Sequence, residues 1–189
     1  MVSSGSMAHV LWTIGHSTRP IEAFIDLLRA HGLQILVDVR SIPYSRRNPQ
    51  FNTTALAESL VKAGLQYHHL PGLGGRRKCR PDSMNRGWRS AGFRGYADYM
   101  QTDEFREGLE ELIAHCTRAP TAIMCAEAVP WRCHRQLIAD ALVSRGWEVR
   151  HILSVTEASI HQLTPFAKIE QDSLTYPEYT AQEPSSRLF

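Results

Sequence analysis

No run of apolar residues in this chain approaches the roughly 18 that a bilayer-spanning helix needs. It also has no charged-then-apolar segment at its start of the kind that directs secretion. These absences argue against a helical membrane span and a secretory leader, so a soluble, cytoplasmic protein is expected. Cysteine is scarce, with four residues at positions 79, 116, 125 and 133. That is too few for the dense disulfide framework of a small secreted domain, and reduced thiols are expected. Charge of one sign is lacking too. A net charge of +2 neither demands nor excludes a polyanionic partner, so local clustering has to decide.

At 189 residues and 43% hydrophobic content, the chain can fill one core well. Residues 1–6 are small, polar and patternless, and read as a cloning remnant ahead of Met7. A single α/β domain is expected over 7–170. The polar stretch from 171 to 189, with Pro177 and Pro184, is expected to be poorly ordered or draped over the surface.

Between Val10 and Leu153, short apolar runs alternate with helical periodicity, which is the pattern of a parallel sheet. Strands are expected at Val10–Ile14, Ile35–Asp38, Leu65–Leu70, Thr121–Cys125 and Trp147–Leu153. Pro20 opens a first helix carrying Phe24, Ile25 and Leu28, and Gly32 closes it. Asn52 and Thr53 precede a second helix that Gly64 ends. Phe105, Leu109 and Leu112 mark a third helix, and Leu137, Ile138 and Ala141 a fourth, stopped by Gly146. The fold class is an open, mostly parallel sheet of about five or more strands with helices on both faces, a Rossmann-like or flavodoxin-like three-layer sandwich. Residues 71–95 contain six glycines and are expected to form a long irregular connection.

Open parallel sheets bind ligands beyond the carboxyl ends of their strands, so the residues just after each strand belong together. Those residues are Gly15-His16-Ser17, Asp38-Val39-Arg40, Gly74-Gly75-Arg76-Arg77 and, densest of all, Cys125-Ala-Glu127 through Arg132-Cys133-His134-Arg135. These motifs taken in order, with Thr13-Ile-Gly-His-Ser17, Val37-Asp-Val-Arg40 followed by Pro43 and Ser45, Leu73-Gly-Gly75, Phe93 with Tyr96, and Cys125-x-Glu127 with Cys133-His-Arg135, resemble the family called domain of unknown function 488. The resemblance spans about Val10 to Leu153. It implies an α/β fold and a shared pocket, and it carries no settled biochemical activity.

The residues themselves suggest more. Free N–H groups at the start of the last helix, with Arg132 and Arg135, would favour a phosphate or carboxylate and acidify Cys133. The competing structural role pairs Arg135 with Asp38. Glu127 could act as acid, base or nucleophile, or could merely fasten its loop. Cys125, Cys133, His134 and His16 are all metal-ligand types. However, seven residues separate the two cysteines, unlike the roughly two-to-four spacing of zinc modules, and adjacent Cys133 and His134 rarely share an ion. No cofactor is therefore expected, with a bound metal as the minor alternative. A phosphatase-type loop does not fit either, because six residues, none of them glycine, lie between Cys125 and Arg132. His68 and His69 end the third strand, and the one facing inward reads as a core histidine.

The leading expectation is an enzyme acting on a phosphate-bearing or nucleotide-like small molecule. His16, Ser17, Asp38, Arg40, Gly74, Gly75, Arg132, His134 and Arg135 would form the pocket, with Glu127, Cys125 and Cys133 as the reactive groups. One alternative is a nucleic-acid-binding module, in which Arg76, Arg77 and Lys78 neutralise phosphates and Trp88 stacks on bases. The other is a thiol redox sensor built on Cys125 and Cys133. The sequence does not specify an oligomeric state.

Overall fold

Ile35–Asp38 and Thr121–Cys125 are buried at every position, which only strands covered on both faces can be. The computed structural model, which describes residues 9–171 and 173–178, places both in the interior of a six-stranded sheet. In chain order its parallel strands are β1 (Val10–Gly15), β2 (Ile35–Asp38), β3 (Gln66–His69), β4 (Thr121–Cys125) and β5 (Glu148–Ile152), and β6 (Ala158–Ile160) adds antiparallel to β5. The spatial order is β3-β2-β4-β1-β5-β6. The chain thus steps outward from β1 to β2 and β3, then returns to insert β4 between β1 and β2.

That return decides which face each helix covers. Right-handed crossovers moving in opposite directions along a sheet must lie on opposite faces. Helices α1 (Ile21–Ala30) and α2 (Thr53–Lys62) therefore share one face. Helices α3 (Ala91–Tyr99), α4 (Asp103–Arg118) and α5 (Arg135–Val143) share the other. The core divides in the same way. Phe24, Leu28, Leu56 and Leu60 pack on Leu36 and Met124 on one side, while Leu109, Leu112 and Leu137 pack on Val37 and Ile123 on the other. Alternation along each strand assigns neighbours to opposite layers. This is the expected three-layer α/β architecture. No helix among the described residues is long and apolar enough to cross a membrane.

The helix ends follow local chemistry. Pro20 stands at the N-cap of α1, Thr102 caps α4 by accepting from the Phe105 N–H, and Gly32, Gly64 and Gly146 take positive φ where helices turn into strands. Two expectations need correction. The connection over 71–95 is not irregular throughout, since Pro71–Leu73 makes a short 3-10 turn and α3 begins at Ala91, capped by Ser90. Gly92 and Gly95 argue against a helix by propensity. Gly95 is nevertheless needed, because a Cβ there would lie 2.3 Å from the Arg77 carbonyl oxygen across a helix-to-loop contact.

Of the tail expected from 171 onward, Ser173–Thr175 forms β8, paired antiparallel with β7 (Lys168–Glu170). Tyr176 beyond it is fully buried. Its hydroxyl donates to Asp140 Oδ2 at 2.8 Å, and its N–H donates to Asn85 Oδ1 at 2.9 Å. Residues 1–6 and 179–189 lie outside the described residues. Tyr176 packs beside Trp88 and Phe166, so Tyr176→Ala is predicted to cost about 3–5 kcal/mol in denaturant unfolding. A loss below about 1 kcal/mol would show that this segment is not part of the core.

Candidate functional site

Strand β4 is followed by a helix on one face of the sheet, while its neighbours β1 and β2 lead to helices on the other. Crevices therefore open at the carboxyl end of β4 on both flanks. A cleft of about 510 Å³ lies there. Its walls include His16, Arg40, Gly75, Arg76, Cys125, Glu127, Arg132, Cys133 and His134, together with Ser41, Ser45 and Asn48 from the loop after β2. Four sequence-distant segments thus converge as the parallel sheet requires.

The floor on the β2 side is a closed electrostatic unit. Asp38 is fully buried and receives Arg40 in a two-pronged contact, Nε to Oδ1 at 2.9 Å and Nη2 to Oδ2 at 2.6 Å. It also accepts from the Arg40 N–H and the Tyr67 hydroxyl. Arg40 also donates through Nη2 to the Phe51 carbonyl at 2.7 Å and through Nη1 to His16 Nε2 at 3.2 Å. An arginine can only donate and a carbonyl can only accept. His16 therefore offers its Nε2 lone pair to Arg40 and its Nδ1–H to the Ser17 carbonyl at 2.8 Å. This neutral tautomer agrees with the His16 pKa, lowered to about 4 by burial and then by Arg40, against the opposing bond to Ser17. Asp38 is accordingly a buried anchor and does not line the cleft, whereas His16 and Arg40 present edges to it.

Arg135 is placed differently from the expectation that it meets either a ligand or Asp38. It is 1% exposed and lies outside the cleft wall. Its Nη1 donates to Thr13 Oγ1 at 3.3 Å and its Nη2 to the Glu127 carbonyl at 2.5 Å, while Nε is buried without a partner. The pairing with Asp38 fails because Asp38 is already saturated by Arg40. Among the described residues Arg135 has no carboxylate partner. Its bond to the Glu127 carbonyl pins the loop after β4, which lies so close to β1 that a Cβ on Gly15 would fall 1.8 Å from the same oxygen.

Behind Arg135 runs a buried chain that sequence reading did not find. Thr13 Oγ1 meets His151 Nδ1 at 2.7 Å, His151 Nε2 meets His161 Nδ1 at 2.9 Å, and His161 Nε2 meets Asp140 Oδ1 at 2.8 Å. Arg135 can only donate and Asp140 can only accept, so donors can point one way along the whole path from the guanidinium to the carboxylate. Asp140 also accepts from Thr164 N–H, Thr164 Oγ1 and Tyr176. His161 lies beyond the expected final strand, and a lone histidine in a polar stretch carries no periodic signal that would mark it.

The opposite wall holds the sulfur chemistry. His134 donates Nε2–H to the Val39 carbonyl at 2.9 Å, which turns Nδ1 toward Cys133 Sγ at 3.7 Å and Cys125 Sγ at 3.9 Å. Cys125 donates to Cys133, which raises its own pKa, and burial raises it further. Burial also opposes ionisation of Cys133, but the bond from Cys125 and the positive charge beside it, Arg135 included, act the other way, so Cys133 is the more acidic thiol. The Glu127 carboxylate is exposed on the cleft wall with no hydrogen-bond partner among the described residues. Arg76 and Arg132 are likewise exposed and free of ion pairs there, with Arg76 held at φ 62, a left-handed conformation uncommon for a side-chain-bearing residue.

Other expected residues fall elsewhere. Ser17 takes part through its backbone, accepting from His16 Nδ1 and donating its N–H to the Ala126 carbonyl, and Gly74 is buried under Ser41. Arg77 stacks over the Tyr99 ring at 3.6 Å and donates to the Gly74 and Gly72 carbonyls. Trp88 is packed among Phe93, Phe166 and Tyr176. Neither is presented for nucleic acid, while Lys78 is exposed on the surface. Of the adjacent pair, His69 bonds the Arg40 carbonyl through Nε2, and His68 packs against His115 with the rings tilted by 37°. The loop residues Ser41, Ile42, Tyr44, Ser45 and Asn48 were not singled out as pocket residues from sequence, although reading further past the end of β2 would have reached them.

With this geometry, comparison with known proteins gives one match. The family model described as Domain of unknown function DUF488 matches residues 20–142, and the chain belongs to that family. The matched stretch runs from the start of α1 to the last turns of α5 and holds Arg40, Gly75, Cys125, Glu127, Cys133 and His134. No curated protein and no solved structure matches the chain.

The buried relay predicts a pH dependence. Burial, with the charges of His161 and Arg135, lowers His151 from 6.5 to about 3, so the unfolded chain binds the proton first as pH falls. Its stabilising contribution is complete above pH 6.5 and is lost as pH drops from 6.5 toward about 3. Urea unfolding between pH 7 and 4 should show this decline, and a His151→Gln variant should show a shallower one. An equal slope in both would mean that His151 titrates alike in the folded and unfolded chains.

Proposed function

We propose that the protein is an enzyme acting on a phosphate-bearing or nucleotide-sized small molecule held in the cleft at the carboxyl end of β4. The observation that carries this reading is the placement of two unpaired guanidinium groups, Arg76 and Arg132, and an unpaired carboxylate, Glu127, around one cleft of about 510 Å³. That volume suits a small ligand. The guanidinium groups would bind the anion, and Ser41, Ser45 and Asn48 offer further polar contacts along the same wall. Ile42 and Tyr44, 62% and 65% exposed, give apolar surface for a ring. Glu127 stands where it can take or give a proton on the bound molecule. His16 and Arg40 form the floor, with the His16 lone pair held by Arg40 and the Arg40 Nε and Nη2 donors held by Asp38 and Phe51.

The reading is tested by thermal shift with nucleoside monophosphates and diphosphates, then by product analysis of any that bind. Stabilisation by at least one of them is expected, with Arg132→Ala and Arg76→Ala each weakening its Kd by about tenfold or more. Glu127→Gln should bind the same ligand, unfold within about 0.5 kcal/mol of the parent and lose turnover. Stabilisation that is identical in both arginine variants, or full turnover in Glu127→Gln, would overturn the assignment.

A further inference from the structure

The cysteines and His134 do not take part in the anion binding or proton transfer assigned above, yet the cleft wall includes all three. We propose that Cys125 Sγ, Cys133 Sγ and His134 Nδ1 form a three-ligand site for a divalent transition ion, zinc foremost, with a fourth position open to the cleft. The three atoms lie within 4.8 Å of one another, and the two sulfur-to-nitrogen separations are 3.7 and 3.9 Å. Tetrahedral zinc with bonds of about 2.3 Å to sulfur and 2.0 Å to nitrogen holds neighbouring ligands roughly 3.5–3.8 Å apart. The two sulfur-to-nitrogen sides of the triangle are thus close to what an ion requires.

Two further features match a metal site. His134 already carries the outer bond that metal-ligating histidines make, with Nε2–H on a backbone carbonyl and Nδ1 left as the lone pair aimed at the sulfurs. Gly75 packs against that nitrogen so closely that a Cβ would stand 2.9 Å from Nδ1, so the glycine keeps space free beside it. Two thiolates and one imidazole select zinc, cobalt or ferrous iron over magnesium or calcium.

The spacing argument against a metal assumed that adjacent Cys133 and His134 cannot face one ion. They do so here because the chain turns between them. Cys133 has extended backbone at φ -139, and His134 is in helical conformation at φ -59, at the entrance to α5. Glu127 lines the same cleft as these three residues. Metal binding is read without turnover, so its failure and the failure of the enzyme reading are separate results.

The test uses the full chain, reduced, stripped with a chelator and titrated anaerobically with Co²⁺. One equivalent should bind with thiolate-to-cobalt charge transfer in the near ultraviolet and strong visible bands of a tetrahedral ion, and Zn²⁺ should displace it. Cys133→Ser and His134→Ala should weaken binding at least tenfold, while Cys79→Ser and Cys116→Ser should bind as the parent does. Thermal shift with Zn²⁺ gives a second reading should Cys125→Ser fail to fold, with stabilisation expected in the parent and not in His134→Ala. Absence of the charge-transfer band, its persistence in Cys133→Ser, or its loss in Cys79→Ser would overturn the proposal. So would ready oxidation of Cys125 and Cys133 to a disulfide in a protein that binds no Co²⁺.

Discussion

The guanidinium of Arg135 holds the rim together. It is a fully buried cation that reaches β1 through Thr13 and the loop after β4 through the Glu127 carbonyl, and no carboxylate among the described residues neutralises it directly. Burying a charge in this way costs several kcal/mol unless hydrogen bonds and nearby negative charge offset it. Two sources of offset are present. One is the relay through Thr13, His151 and His161 to Asp140, and the other is the pair of cysteines, whose ionisation Arg135 favours. The backbone of Glu127 is fixed by Arg135 while its carboxylate stays free at the cleft, so position and reactivity are assigned to different atoms of one residue.

The division of labour between Arg40 and Arg135 follows from strand alternation. Asp38 faces the α1 and α2 side and is saturated by Arg40, Tyr67 and the Arg40 N–H. Cys125 faces the opposite layer, with α5 and Arg135. The sheet thus insulates a closed carboxylate–guanidinium–imidazole cluster on one side from a thiol–imidazole–guanidinium cluster on the other. The cleft meets both where β4 ends. Arg40 has its Nε and Nη2 donors held by Asp38 and Phe51 and meets the cleft through Nη1 alone, which leaves exposed Arg76 and Arg132 as the freer cations.

Much of this was legible in the sequence. The parallel strands of the sheet were readable from short apolar runs, and three helix ends from Gly32, Gly64 and Gly146, because those signals are local. The rule that parallel sheets bind at their carboxyl ends then brought His16, Arg40, Gly75 and the cysteine motif to one place. What escaped was set by tertiary contact. Helix α3 has two glycines, and one is demanded by a neighbouring loop that no local pattern encodes. β6 and the β7–β8 hairpin are three-residue strands, too short for alternation to show. Arg135 was read as ligand-facing because a helix start beside a cysteine suggests it, and only packing shows that the side chain runs inward to Thr13. The Asp140–His161–His151 chain joins residues up to 21 positions apart with no shared motif.

The claim that the cleft at the end of β4 is the ligand site is tested most directly by amide chemical-shift mapping of the isotopically labelled full chain during titration with a nucleoside monophosphate. The account predicts saturable shifts confined to residues 15–17, 40–48, 75–76, 90–96 and 125–135. Saturable shifts centred on 78–89 instead, or none anywhere at millimolar ligand, would contradict it.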